Sequence, residues 1–326
     1  MGGGEAKARS EELARGLRKE FGLDQAEAEF VVLVGRSGGL CVVGQVARWC
    51  RSRKLAASPM AVSRWISGLH DKLDAAFAVF SLQREGTRSV QVHQFVGRKL
   101  YRELGMENSR ARLPADATST IVEIKRRLVS VGAVLARWWY PWLGSVATSV
   151  AWCDALGIDR AVLPQTRYGT GGKKKPSYFP DRSPHAAEGN RCFFVYPLVV
   201  EERDESRGLR KWGQSYARLW EALGRTGVQT TVIVARSAET LSVPVADVMS
   251  GWEASAESHR AVRGIWFDTQ LDYVLAGNPP AALEAHGGPE GVARRRQELA
   301  AIEEARAAVG PGVAKTEELV LEEVPA

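Results

Sequence analysis

The sequence predicts a mixed α/β fold, α+β overall, in which a small helical unit is followed by a larger unit of strands and helices. In the first hundred residues, short amphipathic helices with capped starts lead into two runs of alternating apolar and polar residues. Farther on, an apolar run, an amphipathic helix and a second apolar run follow one another, which is typical of a strand, helix, strand unit. With 326 residues, the chain is long enough for two hydrophobic cores.

Composition narrows the class of protein. Hydrophobic residues make up 45% of the chain, and no apolar run approaches the length of a membrane span. The first residues lack the pattern of a secretory signal, so we expect a cytoplasmic protein without membrane partners. The four cysteines show no Cys-x-x-Cys spacing and predict neither a zinc site nor disulfides. The net charge of +6 is compatible with a polyanionic partner.

After a flexible leader at residues 1–9, the first unit is predicted to contain four helices and, at residues 97–104, a fifth that closes it. Ser10 caps the first helix, and the second spans residues 24–35 with an Asp at its start. A third is expected over residues 40–50. The fourth, at residues 58–69, opens with Ser-Pro, which is a strong signal for a helix start.

The third and fourth helices, separated by a tight turn, have the spacing of a helix-turn-helix. Val62, Ile66 and Leu69 turn inward, so the fourth helix would present its opposite face to a partner. We therefore predict that this helix reads double-stranded DNA. The residues expected to contact DNA from its outward face and from the basic turn before it are Arg53, Lys54, Ser58, Met60, Ser63, Arg64 and Ser67.

Two alternating runs, at residues 76–83 and 89–95, predict a β-hairpin directly after the fourth helix. A helix-turn-helix followed by such a hairpin is a winged helix, here expected to span residues 10–105. Arg84 and Arg88 would lie at the tip of the wing, where they would meet phosphates or the minor groove. Some winged helices bind only proteins, but the basic residues favour DNA. The oligomeric state stays open, although dimers commonly read symmetric sites, so a homodimer is one expectation.

A linker is predicted at residues 106–117, before a long helix that runs from residue 118 to about Trp139. This helix ends in an aromatic cluster, Arg137-Trp138-Trp139-Tyr140-Pro141-Trp142. Such a cluster either stacks on nucleic-acid bases or, in the interpretation that we favour, belongs to a core or an interface. A further helix is expected at residues 145–157 and a short strand at residues 160–163.

A basic loop and a set of carboxylates follow. Lys173, Lys174 and Lys175 lie in a glycine-rich segment that would either hold a phosphate backbone or form a solubilising surface loop. Asp181 follows a proline, and Glu202 and Asp204 follow the apolar run at residues 193–200. Beyond them come an amphipathic helix at residues 209–223 and a buried, parallel central strand at residues 229–235. Acids at the ends of neighbouring strands are suited to bind a divalent cation, although they would also suit a solvated strand end and helix start.

This order of Pro-Asp, strand, Glu-x-Asp, helix with a tyrosine, and strand resembles the PD-(D/E)XK nuclease superfamily. More narrowly, it is similar to the replication-relaxation family of plasmids and other mobile genetic elements, in which a winged helix precedes such a core. The resemblance makes Asp181, Glu202 and Asp204 the metal-binding and catalytic acids, and it matches Tyr216 to an aromatic residue of the following helix. It implies Mg²⁺ as the cofactor of an active site, and replication or mobilisation proteins as partners.

One departure from that pattern concerns catalysis. Active members carry a lysine two residues after the second acid, whereas Asp204 stands two residues after Glu202 here. The nuclease-like domain, at residues 118–277, is therefore expected to be catalytically degenerate unless Lys211 on the next helix supplies the charge. A peripheral helix and an acidic, disordered tail are predicted for residues 278–326.

Three functions are compatible with these features. The first is a DNA-binding protein that acts in plasmid replication, relaxation or mobilisation. The second is an active metal-dependent endonuclease. The third is a winged-helix transcriptional regulator whose larger domain senses a signal or dimerises, and it requires the same reader helix as the first.

Overall fold

A computed structural model of the chain describes residues 3–56, 58–82, 89–106, 117–168, 175–199, 205–237 and 314–321. Within these ranges, the protein is a mixed α/β structure, as predicted. The helices are α1 (Gly3–Phe21), α2 (Gln25–Ser37), α3 (Val43–Ser52), α4 (Pro59–Leu73), α5 (Arg98–Glu103), α6 (Ala117–Ala136), α7 (Val146–Ala155) and α8 (Glu205–Arg225). The strands are β1 (Leu40–Val42), β2 (Phe77–Leu82), β3 (Val90–Phe95), β4 (Gln165–Tyr168), β5 (Lys175–Tyr178), β6 (His185–Glu188), β7 (Arg191–Leu198), β8 (Gln229–Ser237) and β9 (Ala314–Leu321).

The strands of the described residues form three sheets. In the N-terminal part, β1 and β2 both pair antiparallel with β3, in the order β1-β3-β2. β4 and β5 form a separate antiparallel pair. The largest sheet has the order β6-β7-β8-β9, in which β6 is antiparallel to β7 and the other neighbours are parallel.

The helix α6 lies between the N-terminal helices and the largest sheet. Its residues Val131 and Leu135 pack into the core of α1 to α5, whereas Leu128 and Val129 pack on the sheet beside Phe193 and Ile233. On the opposite face of the sheet, α8 covers the alternate residues of β7 and β8. The predicted position of β8 as a strand buried on both faces is therefore confirmed. The N-terminal unit and the sheet share α6 in their cores, although the predicted linker falls largely outside the described residues.

A buried glutamine fastens α3 to α6. The Gln45 side chain donates from Nε2 to the carbonyl oxygen of Leu128 over 2.6 Å, and its Oε1 accepts from the Val42 amide over 3.1 Å. Gln45 is fully buried, so its two bonds satisfy groups that have no access to water. This contact fixes the start of α3 against the middle of α6.

Some sequence predictions are wrong in the described residues. A flexible leader was expected at residues 1–9 with Ser10 capping the first helix, but α1 already begins at Gly3 and Ser10 lies inside it. Residues 40–42 were expected to be helical, but they form β1, because the turn after α2 aligns them with β3 and buries all three side chains. The strand expected at residues 160–163 is a 3-10 turn, capped by Asp159, whose side chain accepts from the Ala161 amide over 2.9 Å.

A further error concerns the acidic tail, which was expected to be disordered but contains β9. This strand pairs with β8 over eight residues. Glu317 forms an ion pair with Arg137, and Glu318 accepts from Arg236 Nε over 2.8 Å, so each acid has an arginine partner in the sheet region. Leu321 is fully buried. Other predicted elements between residues 238 and 313 lie outside the described residues.

Replacing Gly132 by alanine tests the packing around α6. A Cβ there would lie 2.7 Å from Leu321 Cδ1 and 2.8 Å from Gln45 Nε2, both of them buried side chains. We expect a loss of about 1–2 kcal/mol in the free energy of unfolding, because overpacking outweighs the higher helix propensity of alanine. Gly68 of α4 is the control: its Cβ would meet open space, so Gly68→Ala should stabilise by about 0.5–1 kcal/mol. If chemical denaturation showed that both substitutions change the free energy of unfolding in the same direction, this packing would be contradicted.

Candidate functional site

The helix α4 is held in place by both its ends and its inner face. Ser58 caps it, with Oγ accepting from the Ala61 amide over 3.2 Å, and Pro59 occupies its first turn. At the other end, Lys72 forms an ion pair with Glu27 of α2 over 2.6 Å. Its apolar face is buried by Val62, Ile66, Leu69 and Leu73. Such anchoring fixes which residues α4 turns to solvent.

The outward face of α4 carries the residues that the sequence predicts for it. Ser58, Met60, Ser63, Arg64 and Ser67 are all exposed, and Met60 has 65% of its surface accessible. The Arg64 guanidinium lies 3.4 Å from the Met60 sulfur, so the two side chains are in contact. The result is a narrow face with one cation, one large apolar side chain and small hydroxyl groups.

The turn between α3 and α4 separates two basic residues that were predicted to act together. Lys54 is exposed, and its backbone is left-handed with φ of 58°. Arg53 instead pairs with Glu29 over 2.5 Å and lies over the ring of Trp138, 4.4 Å from its centroid. Its charge is thus engaged in joining α3, α2 and the end of α6, so Arg53 supports the turn more than it presents a cation outward.

The aromatic segment after α6 contains both packed and exposed side chains. Trp138 packs edge-on against Trp49 of the N-terminal core, and Trp142 is buried. This agrees with the core interpretation for those two residues. Trp139 is 56% exposed beside them.

Two histidines, one from α4 and one from β3, pack on the Phe77 ring of β2. His70 of α4 contacts it edge-on with centroids 4.9 Å apart, and His93 of β3 stacks on it at 5.6 Å. Burial lowers the pKa of the His93 imidazole, and the nearby His70 lowers it further. Within the described residues, neither ring nitrogen of His93 has a hydrogen-bond partner. Arg84 and Arg88, predicted for the tip of this hairpin, lie outside the described residues.

Acidification is expected to destabilise the N-terminal unit through His93. A histidine with a lowered folded-state pKa stays neutral while the unfolded chain takes up a proton, so stability is lost as the pH falls below about 6.5. Urea denaturation between pH 7.5 and pH 5 should show this decline, and His93→Phe should make it shallower. An unchanged pH dependence in the variant would assign the decline to other groups.

Asp181 is the centre of a second candidate site, on the turn after β5. One carboxylate oxygen accepts from the Tyr216 hydroxyl over 2.9 Å, and the other accepts from Ser183 Oγ over 2.7 Å and from the indole N–H of Trp212. The turn is tight, because Phe179 and Arg182 both have positive φ, and Phe179 is buried below it. Burial, followed by the charge of Asp181, raises the pKa of Tyr216 well above its usual value. The tyrosine therefore stays a neutral donor to the carboxylate.

Asp181 also lines a cleft of about 330 Å³ between the end of α2 and α6. Glu123, Arg126 and Arg127 of α6 and Arg182 line it as well, and Glu123 pairs with Arg127 over 2.6 Å. Arginine side chains outnumber acids in this lining. The cleft thus presents mixed charge with a positive excess next to Asp181.

The fit of Asp181 to a magnesium ion is partial. Three donors of the described residues bind its carboxylate, and since each oxygen accepts about two bonds, they leave one lone pair without a donor from that part of the chain, on the oxygen that accepts from Tyr216. Glu202 and Asp204, the other two predicted ligands, lie outside the described residues, as do Lys173 and Lys174. In the described part of the chain, no group of three or more His, Cys, Asp or Glu residues is arranged to hold a metal ion.

The remaining sequence-predicted residues lie apart from the Asp181 carboxylate. Lys211 is adjacent in sequence to Trp212 but exposed, and no ion pair joins it to Asp181 among the described residues. Lys175 begins β5, opposite Tyr168 of β4.

Sequence reasoning missed the roles of Trp212 and Ser183 as donors to Asp181. Trp212 and Tyr216 are four residues apart and were both assigned to the apolar face of their helix, although the resemblance also matched Tyr216 to an aromatic residue. The signal was available in their polar atoms: a buried indole N–H and a buried phenol both require an acceptor.

No family model, curated protein or solved structure compared with the chain matches it. None of the helices in the described ranges is long and apolar enough to cross a membrane.

Proposed function

We propose that the chain is a sequence-reading, duplex-DNA-binding protein in which α4 enters the major groove as the reader of a winged helix. The observation that carries this proposal is the exposed face of α4, which bears one arginine, one methionine and small hydroxyl residues on a helix anchored from behind. Supporting it is the element order α2, β1, α3, α4, β2, β3, in which β1 pairs with the hairpin that follows α4. Winged helices place their reader helix directly before such a hairpin.

Charge supports a nucleic-acid partner. The chain has a net charge of +6 and a pI near 9.2. Exposed Arg51 lies in the last turn of α3, Lys54 in the turn that follows and Arg64 on α4, where they would meet phosphates and base edges. Basic residues at this position favour DNA over a protein partner.

In this proposal, the second unit is a PD-(D/E)XK-like core that acts mainly as a scaffold. The chain runs from strand β7 through helix α8 to strand β8, which pairs parallel with β7, and α8 contacts Asp181 through Tyr216. This order supports the nuclease-like topology. A scaffold role fits the binding of Asp181 by three donors of its own unit. By the resemblance described above, the protein would serve plasmid replication, relaxation or mobilisation, in the cytoplasm.

DNA affinity measured by fluorescence anisotropy tests the proposal. The wild-type protein should bind duplex DNA with an affinity that falls steeply as salt is raised, because phosphate contacts release counterions. The double variant Arg64→Ala, Arg88→Ala should bind at least about tenfold more weakly, since each arginine contact is worth roughly 1–3 kcal/mol. Arg191→Ala removes an exposed arginine from β7 and serves as the control.

Two outcomes would overturn the proposal. One is the absence of salt-sensitive duplex binding by the wild-type protein. The other is a loss of binding free energy in Arg191→Ala that is half or more of the loss in the double variant, which removes twice as many charges; this would show that only net charge matters.

A further inference from the structure

The outward face of α4 carries different kinds of side chain at its two ends. Met60, Ser63, Arg64 and Ser67 share one side of the helix with Asp71, as their three- and four-residue spacing requires. Asp71 lies eleven residues beyond Met60, which is about 16 Å along the helix axis. The N-terminal half of this face therefore carries the cation and the large apolar group, whereas the acid is confined to the other end.

Met60 is the most accessible of the large apolar side chains among the described residues. A single exposed hydrophobic residue is common on protein surfaces and by itself indicates nothing. Met60 differs because its sulfur lies 3.4 Å from the Arg64 guanidinium, on the first two turns of a capped helix. The contact holds an apolar group and a forked hydrogen-bond donor side by side.

These two groups match two adjacent features of the major groove. An arginine fork binds the O6 and N7 atoms of guanine, and an apolar side chain contacts the C5-methyl group of thymine. Ser63 and Ser67 are small, so they allow the helix to approach the base edges. The methyl group of 5-methylcytosine occupies the same position as that of thymine.

We propose that the Met60–Arg64 pair reads a C5-methylated pyrimidine next to a guanine in duplex DNA. Arg64 binds the guanine, and Met60 covers the methyl group of the neighbouring pyrimidine. The inference rests on the proposed function and specifies the ligand of the same face.

The test begins with duplexes selected from a random pool by the full-length wild-type protein. In the best-binding duplex, each thymine is replaced singly by deoxyuridine, which removes only the methyl group. Where the selected site contains a CpG step, its cytosine is replaced by 5-methylcytosine instead. Dissociation constants are measured for the wild-type protein, for Met60→Ala and for Ile121→Ala, which shortens an exposed apolar side chain of α6 as a control.

We expect one methyl group, next to a guanine, whose removal weakens wild-type binding about fourfold, the factor for burying one methyl group. The Met60→Ala variant should be insensitive to that methyl group, whereas Ile121→Ala should behave as the wild type. A response to deoxyuridine identifies thymine as the source of the methyl group, and a response to cytosine methylation identifies 5-methylcytosine.

The inference is overturned if wild-type affinity is unchanged by every methyl substitution, or if Met60→Ala keeps the full methyl response. Duplex binding without a methyl response would leave the proposed function standing and remove only this inference. Failure to select any duplex would overturn both. Unfolding of Met60→Ala is checked by its melting temperature, which should match the wild type because the side chain is exposed.

Discussion

Replacing Gly39 by alanine is expected to destabilise the protein by about 2–5 kcal/mol, because a backbone cost and a steric cost add at this residue. Gly39 has φ of 72°, a left-handed conformation that costs an L-residue about 1–2 kcal/mol. A Cβ there would also lie 2.3 Å from the Tyr101 hydroxyl oxygen. Tyr101 is fully buried and donates to the Phe95 carbonyl over 3.2 Å, so the ring has little room to move away.

Gly39 also links α2 to β3, two elements of the unit that supports α4. Its amide donates to the Val34 carbonyl of α2 over 2.8 Å, and its carbonyl accepts from the Phe95 amide of β3 over 2.8 Å. A distortion here would shift α2 relative to the β1-β3-β2 sheet. We therefore expect Gly39→Ala to weaken DNA binding as well, through loss of folded protein.

Two further variants separate the costs. Gly227 has φ of 80° with no atom within 4 Å of its virtual Cβ, so Gly227→Ala measures the backbone cost alone. Adding Tyr101→Phe to Gly39→Ala removes the clashing oxygen and should restore part of the stability. Equal unfolding free energies for Gly39→Ala and Gly227→Ala would show that the contact with Tyr101 adds no cost to the backbone term.

Asp181→Ala is expected to cost about 2–5 kcal/mol, because it removes the charged acceptor that two buried donors share. The Tyr216 hydroxyl and the Trp212 indole N–H both point at this carboxylate, and both residues are buried. Adding Tyr216→Phe should recover part of the loss, since the phenylalanine has no donor to satisfy. Asp154→Ala, which removes an exposed acid paired with Arg160, should leave stability nearly unchanged.

The raised pKa of Tyr216 adds a pH signature to this site. The hydroxyl stays neutral in the folded state while the unfolded chain ionises, so wild-type stability should fall as the pH rises above about 10. Tyr216→Phe should weaken that decline. A decline that is the same in the variant would contradict the buried, neutral donor.

The same acid decides whether the chain is also an endonuclease. An active site would nick supercoiled plasmid with Mg²⁺ or Mn²⁺, and Asp181→Asn, which keeps an acceptor for the buried donors, would abolish nicking. The scaffold role predicts no nicking by either protein. Nicking by the wild type that is lost in Asp181→Asn would contradict the scaffold role and support the endonuclease.

Sequence patterns correctly predicted the elements whose stability depends on neighbouring residues. The Ser-Pro start of α4 and its inward residues followed from capping and helical periodicity, and both are confirmed. The buried character of β8 followed from its Val-Ile-Val run. These features depend on residues within one or two turns of each other, which a sequence displays directly.

Features that depend on distant partners were not predictable in this way. β9 carries Glu317 and Glu318, which favour disorder until Arg137 and Arg236 are known to lie beside them. Leu40–Val42 has the composition of a helix or a strand, and only pairing with β3 decides between them. Two of the three donors to Asp181, Trp212 and Tyr216, come from a helix more than thirty residues away, a distance along the chain that periodicity does not bridge.

Site-directed crosslinking tests the central claim, that α4 lies in the major groove. Cys41, Cys50, Cys153 and Cys192 are all buried, so a cysteine introduced on the surface reacts selectively. Ser63→Cys places it on the outward face of α4, and Ser215→Cys places it on the exposed side of α8 as a matched control. Each variant is mixed with selected duplex DNA that carries a disulfide-activated tether on a pyrimidine C5 atom, in the major groove. We predict a crosslink to Ser63→Cys and none to Ser215→Cys, whereas equal crosslinking, or crosslinking at residue 215 alone, would contradict the account.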